Sequence, residues 1–323
     1  MAKAVAAASS GGPREGKINT TSLVDRVQDQ VVGRRRELEL LVAALMADRH
    51  IVLEGPPGTG KSTLLRAVAQ ELGLGFEFVE GNAELTPARL VGHFDPARVL
   101  TDGYSPDVFV DGPLVSAMTN GSLLYVEEIN RIPEETLNVL ITVMSEQELH
   151  VPRFGRIACE PGFRLVAAMN PFDAVGTARI SSAVYDRMCR LSMTYQSADD
   201  EIDIVRRAVG TDADARWLEK IVELVRLTRE HSDLRVGSSV RGAIDTAVVS
   251  TSLAAVRSLP VLNPSVGLDS AIIALSGRVR LRDGATRTSE EIITELWQSV
   301  FGRTEGGDGE GKAGAPTGAT NSR

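Results

Sequence analysis

Cysteine is scarce in this chain: its 323 residues contain two, Cys159 and Cys189. Two thiols so spaced give neither a disulfide framework nor a metal-ligand pattern, which leaves a reducing cytoplasm as the expected compartment. Aromatic residues make up only 4% of the chain and are not interleaved with basic ones. Basic residues are outnumbered, 35 Lys and Arg against 43 Asp and Glu, for a net charge of -8. Both shortages argue against nucleic acid as a partner, although a local basic patch in a pore stays open. No apolar run approaches a membrane span, so no membrane insertion is expected. The alanine-rich start "MAKAVAAASSGG" lacks the apolar core of a signal peptide.

What remains is ordinary for a globular protein with a real core: 43% hydrophobic and 24% charged residues. Residues 1–24 read as a disordered lead, and the Gly-rich stretch 303–323 reads as a disordered tail. From 25 to 197, short apolar runs ("HIVLEG", "FEFVEG", "SLLYVEE", "FRLVAAMN") alternate with helical patterns, the signature of a parallel sheet covered on both faces. After Pro133, taken as a first helical residue, Leu137, Leu140, Ile141 and Met144 form one apolar stripe. From 198 to 302 the strand pattern stops and five helical segments follow. The fold class expected is therefore α/β, a P-loop NTPase three-layer parallel sheet with a C-terminal all-helical lid domain. Residues 84–113 read as a long irregular insertion, more often functional than filler. Residues 150–163 read as a hairpin with turn signals at Gly155 and Pro161-Gly162.

The sharpest motif is "GPPGTGKS", which follows a strand and opens a helix, the context a phosphate-binding loop requires. Gly55, Pro56, Pro57, Gly58, Thr59 and Gly60 would turn backbone N–H groups around phosphate oxygens, helped by the positive end of the following helix. Lys61 would carry charge to the β/γ-phosphates. Ser62, followed by Thr63, would offer a hydroxyl to Mg²⁺. "LLYVEE" ends a buried strand on two carboxylates, which is costly unless they face a partner. If this strand lies beside the P-loop strand, its carboxyl end points at the nucleotide. Glu127 would then hold Mg²⁺ and Glu128 would act as base on the attacking water; the alternative is a solvated strand end. Asn170, after the strand "VAAM", either orients the same water or initiates an Asn-Pro turn. Arg187 and Arg190 are candidates for an arginine that stabilises transferred phosphate from a neighbouring subunit, against a plain surface ion pair. Arg241 opens a helix with Ser238 or Ser239 as possible caps; facing the helix dipole unfavourably, it needs a nearby anion, a phosphate or a local carboxylate.

"VVGRRRELELLVAAL…HIVLEGPPGTGKS", "SLLYVEEINRIPEETLNVLITVMSEQEL", "AAMNPFD", "AVYDRM" and "GSSVRGAI" occur in the order seen in MoxR-type AAA+ ATPases. The chain resembles that family over about residues 27–301, as a member of the helix-2-insert group. The resemblance implies Lys61 and Ser62 as Walker A, Glu127 and Glu128 as Walker B, Asn170 as sensor 1, Arg187 as arginine finger and Arg241 as sensor 2. Val31, Val32 and Gly33 would border the adenine. It implies ATP and Mg²⁺ as ligands, a homo-oligomer in a hexameric ring, and a protein client, often with a von Willebrand factor A-domain partner. Two positions depart from the family: Glu127 stands for the usual Asp, and Met188 for the usual Phe. Because Mg²⁺ tolerates little geometric error, the longer Glu127 raises an alternative to an ATP-hydrolysing ring, a nucleotide-gated binding module with little turnover. A small-molecule kinase is disfavoured for want of an acceptor pocket, and a DNA motor rests on fold alone.

Overall fold

The computed structural model describes residues 20–171, 182–210 and 213–302. The chain divides into two compact units, Met1–Gln196 and Ser197–Arg323. The expected tail at 303–323 lies outside the described residues. So does most of the expected lead, but a helix already begins at Thr20, inside the segment taken as disordered.

The first unit opens with helices α1 (Thr20–Gln30) and α2 (Arg35–Met46). In α2, Leu38, Leu41, Val42 and Leu45 recur at helical spacing and are all buried. Strand β1 (His50–Glu54), buried along its whole length, runs through the P-loop into α3 (Lys61–Leu72) and then β2 (Phe76–Glu80). Next come α4 (Pro87–Val91), β3 (Gly92–Phe94), α5 (Pro96–Asp102), β4 (Phe109–Asp111), α6 (Pro113–Asn120) and β5 (Leu123–Glu127). Then follow α7 (Glu134–Glu146), β6 (Glu148–Val151), β7 (Gly155–Ala158), β8 (Arg164–Met169), α8 (Ser182–Tyr185) and β9 (Met188–Ser192).

The central sheet has the order β2-β5-β8-β1-β9, every neighbouring pair parallel. Strand alternation sends residues to opposite faces. Val52, Leu124, Val126, Leu165 and Ala167 pack with α6 and α7. Ile51, Leu53, Leu123, Tyr125, Val166 and Ala168 pack with α1, α2 and α3. The acid-bearing strand β5 is expected beside the P-loop strand β1, but β8 is inserted between them. Strand β9 went unread in the sequence, and it forms the edge next to β1.

The insertion 84–113 is more ordered than expected, because β3 and β4 pair antiparallel around α5. The expected hairpin is β6–β7, pairing from Glu148–Ala158 to Val151–Gly155, so Pro161-Gly162 lies outside it. Pro133 precedes α7 as its N-cap residue rather than its first helical one.

The second unit comprises α9 (Ala198–Val209), α10 (Ala215–Glu230), β10 (Leu234–Val236), α11 (Val240–Arg257), α12 (Pro264–Leu275), β11 (Arg280–Leu281) and α13 (Ser289–Phe301). Among its described residues the regular structure is helical apart from the small antiparallel pair β10–β11, which the sequence reading missed. Trp217, Leu218, Ile221, Ala243, Leu275, Ile292 and Trp297 belong to its core. Buried Glu201 accepts from Arg226 and Arg229, a pairing that its burial requires. Ser239 is the N-cap residue of α11, yet neither Ser239 nor Ser238 caps the helix through its side chain.

Candidate nucleotide-binding site

The P-loop leaves β1 at Gly55, whose N–H donates to Met169 O at 3.2 Å, tying the loop to the end of β8. Gly60 sits at φ 83°, in the left-handed region that side chains disfavour, and a Cβ there would meet nothing within 4 Å. The residue that turns the chain into α3 thus borders open space, at the positive end of a 12-residue helix. Thr59 Oγ1 donates to Pro56 O at 2.9 Å, and Lys61 Nζ donates to Gly55 O at 2.8 Å and Pro56 O at 2.9 Å. The ammonium is therefore held over the loop's own carbonyls.

The two motifs meet although their strands are not neighbours. Ser62 Oγ donates to Glu127 Oε1 at 3.0 Å, and Tyr125 OH lies 2.9 Å from the same serine oxygen. The extra methylene of Glu127 is compatible with that reach. A hydroxyl and a carboxylate are the hard oxygen donors Mg²⁺ takes from a protein when phosphates complete its shell, so these side chains fit the ion. Burial, opposed by the Ser62 bond and reinforced by the Glu127 charge, pushes the Tyr125 phenol up to about 12.

Glu128 has φ 53°, rare for a residue with a side chain. Its backbone is clamped from both sides. Gly81 N–H donates to Glu127 O at 2.7 Å, and Arg131 N–H donates to Glu128 O at 2.9 Å. Gly81 is needed here, because a Cβ would lie 2.4 Å from Glu128 O. Strained backbone held by its surroundings is a feature of functional sites. The Glu128 carboxylate pairs with Arg131 Nε at 3.2 Å.

Asn170 follows Met169 directly, at the carboxyl end of the strand between β1 and β5. The rest of the motif "AAMNPFD" from Phe172 onward lies outside the described residues. Arg190 pairs with Glu54, which is only 3% exposed and also accepts from Tyr185 OH at 2.6 Å. Burial, together with the Glu54 carboxylate, pushes the Tyr185 phenol up to about 12. Arg187 donates to Ser145 Oγ and to Ala183 O, and makes no ion pair among the described residues. Val31 is buried, Val32 half-buried, and Gly33 turns at φ 67° between α1 and α2. Arg34, which the sequence reading passed over, fixes that turn to the P-loop. Its guanidinium is 3% exposed and donates to Thr59 O at 2.9 Å and Thr194 O at 2.6 Å. Arg241 lies exposed in the first turn of α11, in the second unit.

The insertion and the β6–β7 hairpin are joined by aromatic contacts. Phe94 meets Tyr104 and Phe109, each at 5.1 Å, Phe109 meets Phe154 at 4.9 Å, and Arg153 lies 3.9 Å over Tyr104.

Residues 50–188 match the family described as AAA domain, dynein-related subfamily. The gas vesicle ATPase GvpN1 of Halobacterium salinarum is 29% identical over 300 residues, covering 88% of this chain and 81% of that protein. Protein YeaC of Bacillus subtilis is 29% identical over 248 residues, 68% of this chain and 74% of its own length. The gas vesicle ATPase GvpN of Haloferax mediterranei is 32% identical over 215 residues, 62% of this chain and 61% of its own. Among solved structures, a mutant form of RuvB of Thermotoga maritima superposes with a TM-score of 0.53 at 21% identity, covering 77% of this chain and 72% of that one. With its five-stranded parallel sheet, P-loop and helical C-terminal region, the chain has the AAA+ P-loop NTPase fold.

Proposed function

We propose that this chain is a MoxR-like AAA+ ATPase that assembles into a ring, expected to be hexameric, and couples ATP hydrolysis to the remodelling or maturation of a protein client. The observation that carries the reading is the 3.0 Å contact joining Ser62 of the P-loop helix to Glu127 of the acid-bearing strand. In this reading the P-loop N–H groups and Lys61 bind the phosphates, and Ser62 and Glu127 hold Mg²⁺. Bound magnesium supplies neutralising charge on the β- and γ-phosphates. Glu128 orients the attacking water and takes its proton as the bond from the γ-phosphorus to the β–γ bridging oxygen breaks. Asn170 assists in placing that water. Arg187 is the candidate finger offered to a neighbouring subunit, because Arg190 is engaged by Glu54 of its own chain. Arg241 is the candidate sensor 2, by resemblance. A von Willebrand factor A-domain protein is one candidate partner; the likeness to two gas vesicle ATPases makes a gas vesicle protein another.

The test is phosphate release by wild type and Glu128→Gln at saturating ATP and Mg²⁺. The variant is expected to lose roughly 10²-fold or more of the rate while still binding ATP, as removal of a positioned base does. Equal rates would remove Glu128 from the chemistry. One observation favours a second reading, a nucleotide-gated module with little turnover: the Glu128 carboxylate lies 3.2 Å from Arg131 Nε of its own chain. That reading predicts wild-type turnover no faster than that of Lys61→Ala.

A further inference from the structure

We propose that Tyr125 is a positioning residue for the metal-binding hydroxyl of Ser62: its phenol donates to Ser62 Oγ, which commits the serine proton to Glu127 and leaves a serine lone pair for a divalent cation. The inference rests on the nucleotide and metal reading of the site.

The direction of the hydrogen bonds follows from counting protons. Three oxygens stand in a chain, with Tyr125 OH 2.9 Å from Ser62 Oγ and Ser62 Oγ 3.0 Å from Glu127 Oε1. Ser62 has one proton. If Ser62 gave it to Tyr125, the serine and carboxylate oxygens would face each other with no proton between them. The phenol proton, on a side chain that is 0% exposed, would then have no acceptor, since Ser62 is its only hydrogen-bond partner among the described residues. A buried donor left without an acceptor is costly. The arrangement that satisfies all three oxygens runs from Tyr125 to Ser62 to Glu127. A hydroxyl oxygen has two lone pairs. One accepts from Tyr125, and the other remains for the ion.

Strand geometry puts the phenol there. Tyr125 and Glu127 are two residues apart on β5, hence on the same face, the one covered by α3. The ring is held independently of its hydroxyl, at 6.0 Å from Phe76 and 5.8 Å from Phe78 on β2. Tyr125→Phe therefore deletes the donor and keeps the packing.

The experiment titrates Mg²⁺ into full-length protein with a fluorescent, nonhydrolysable ATP analogue, for wild type, Tyr125→Phe, Ser62→Ala and the double variant. Tyr125→Phe is expected to leave metal-free analogue affinity unchanged and to raise the Mg²⁺ half-saturation about fivefold, the factor one ordinary hydrogen bond represents. In the Ser62→Ala background the same change is expected to add nothing. An identical Mg²⁺ half-saturation for wild type and Tyr125→Phe would overturn the inference, even with a shifted melting temperature, because a packing role alone predicts that pattern. If Mg²⁺ strengthens analogue binding in none of the four proteins, the metal reading of the whole site fails and this inference with it.

Discussion

His50 opens the P-loop strand as a buried, neutral imidazole, and replacing it with Asn should remove a pH dependence from this part of the sheet. Its Nδ1 accepts the Leu165 N–H at 2.9 Å, tying β1 to β8, and its ring meets Phe163 at 6.0 Å. Burial, with a smaller push from Arg49, lowers its pKa from 6.5 to about 4. Protonating Nδ1 would set two donors against each other. Between pH 6.5 and 4 the unfolded chain binds a proton that the native one does not. Stability therefore rises with pH across that window and falls on acidification, with no contribution above it. Shifts of this size amount to about 3 kcal/mol in full and about 2 kcal/mol between pH 7 and 5, or roughly 20-fold in an opening equilibrium. The Asn amide oxygen can take over the Leu165 bond without titrating. Trp217 and Trp297 both lie in the second unit, so tryptophan fluorescence would miss the effect. Amide hydrogen exchange of the β1 and β8 segments reads it directly. Corrected for intrinsic rates, wild type should lose roughly 20-fold more protection than His50→Asn between pH 7 and 5. Equal losses would refute the reasoning.

Two further outcomes follow from contacts at the site. Gly81→Ala places a methyl 2.4 Å from Glu128 O, so Glu128 must shift; phosphate release should fall roughly 10²-fold while metal-free nucleotide binding is kept. Phe154→Ala removes the 4.9 Å contact between the hairpin and Phe109 of the insertion. Tryptic cleavage after the exposed Arg98 should then speed up about tenfold, as expected for the loss of an aromatic pair, and an unchanged rate would mean that the two loops are not held together.

The elements legible in the sequence were those whose pattern has one explanation. β1, β5 and β8 each carry a continuous apolar run, as buried parallel strands usually do, and "GPPGTGKS" needs no tertiary knowledge to be read. β9 escaped because only Met188 and Leu191 of "MCRLS" are buried, and an edge strand need not be apolar throughout. β3 and β4 have three residues each, and β10 and β11 three and two, too short for any periodicity. Strand order carries no local signal at all, which is why β8 was not foreseen between β5 and β1. Tyr125 read as one more apolar residue of a strand, and Arg34 drew no reading of its own. Each acquires its role only when a distant segment, α3 or the P-loop, supplies the partner.

The same dependence on tertiary partners separates Arg187 from Arg190, which three residues of sequence could not. A guanidinium beside a buried carboxylate is fixed by cost: removing Arg190 would leave Glu54, 3% exposed at the end of the P-loop strand, with Tyr185 as its remaining partner. Arg190 is thus tied to the strand that carries the loop. Arg187 donates to a serine hydroxyl and a backbone carbonyl, neutral acceptors that give up a cation far more readily than a carboxylate does. The proposed assignment of Arg187 as the finger uses that difference, since a group offered to a neighbour's phosphate must first leave its resting contacts. Tyr185 stands between the two, bonded to Glu54 and two residues before Arg187. Glu54 at the loop and the α8 segment are therefore linked through the Tyr185 hydroxyl.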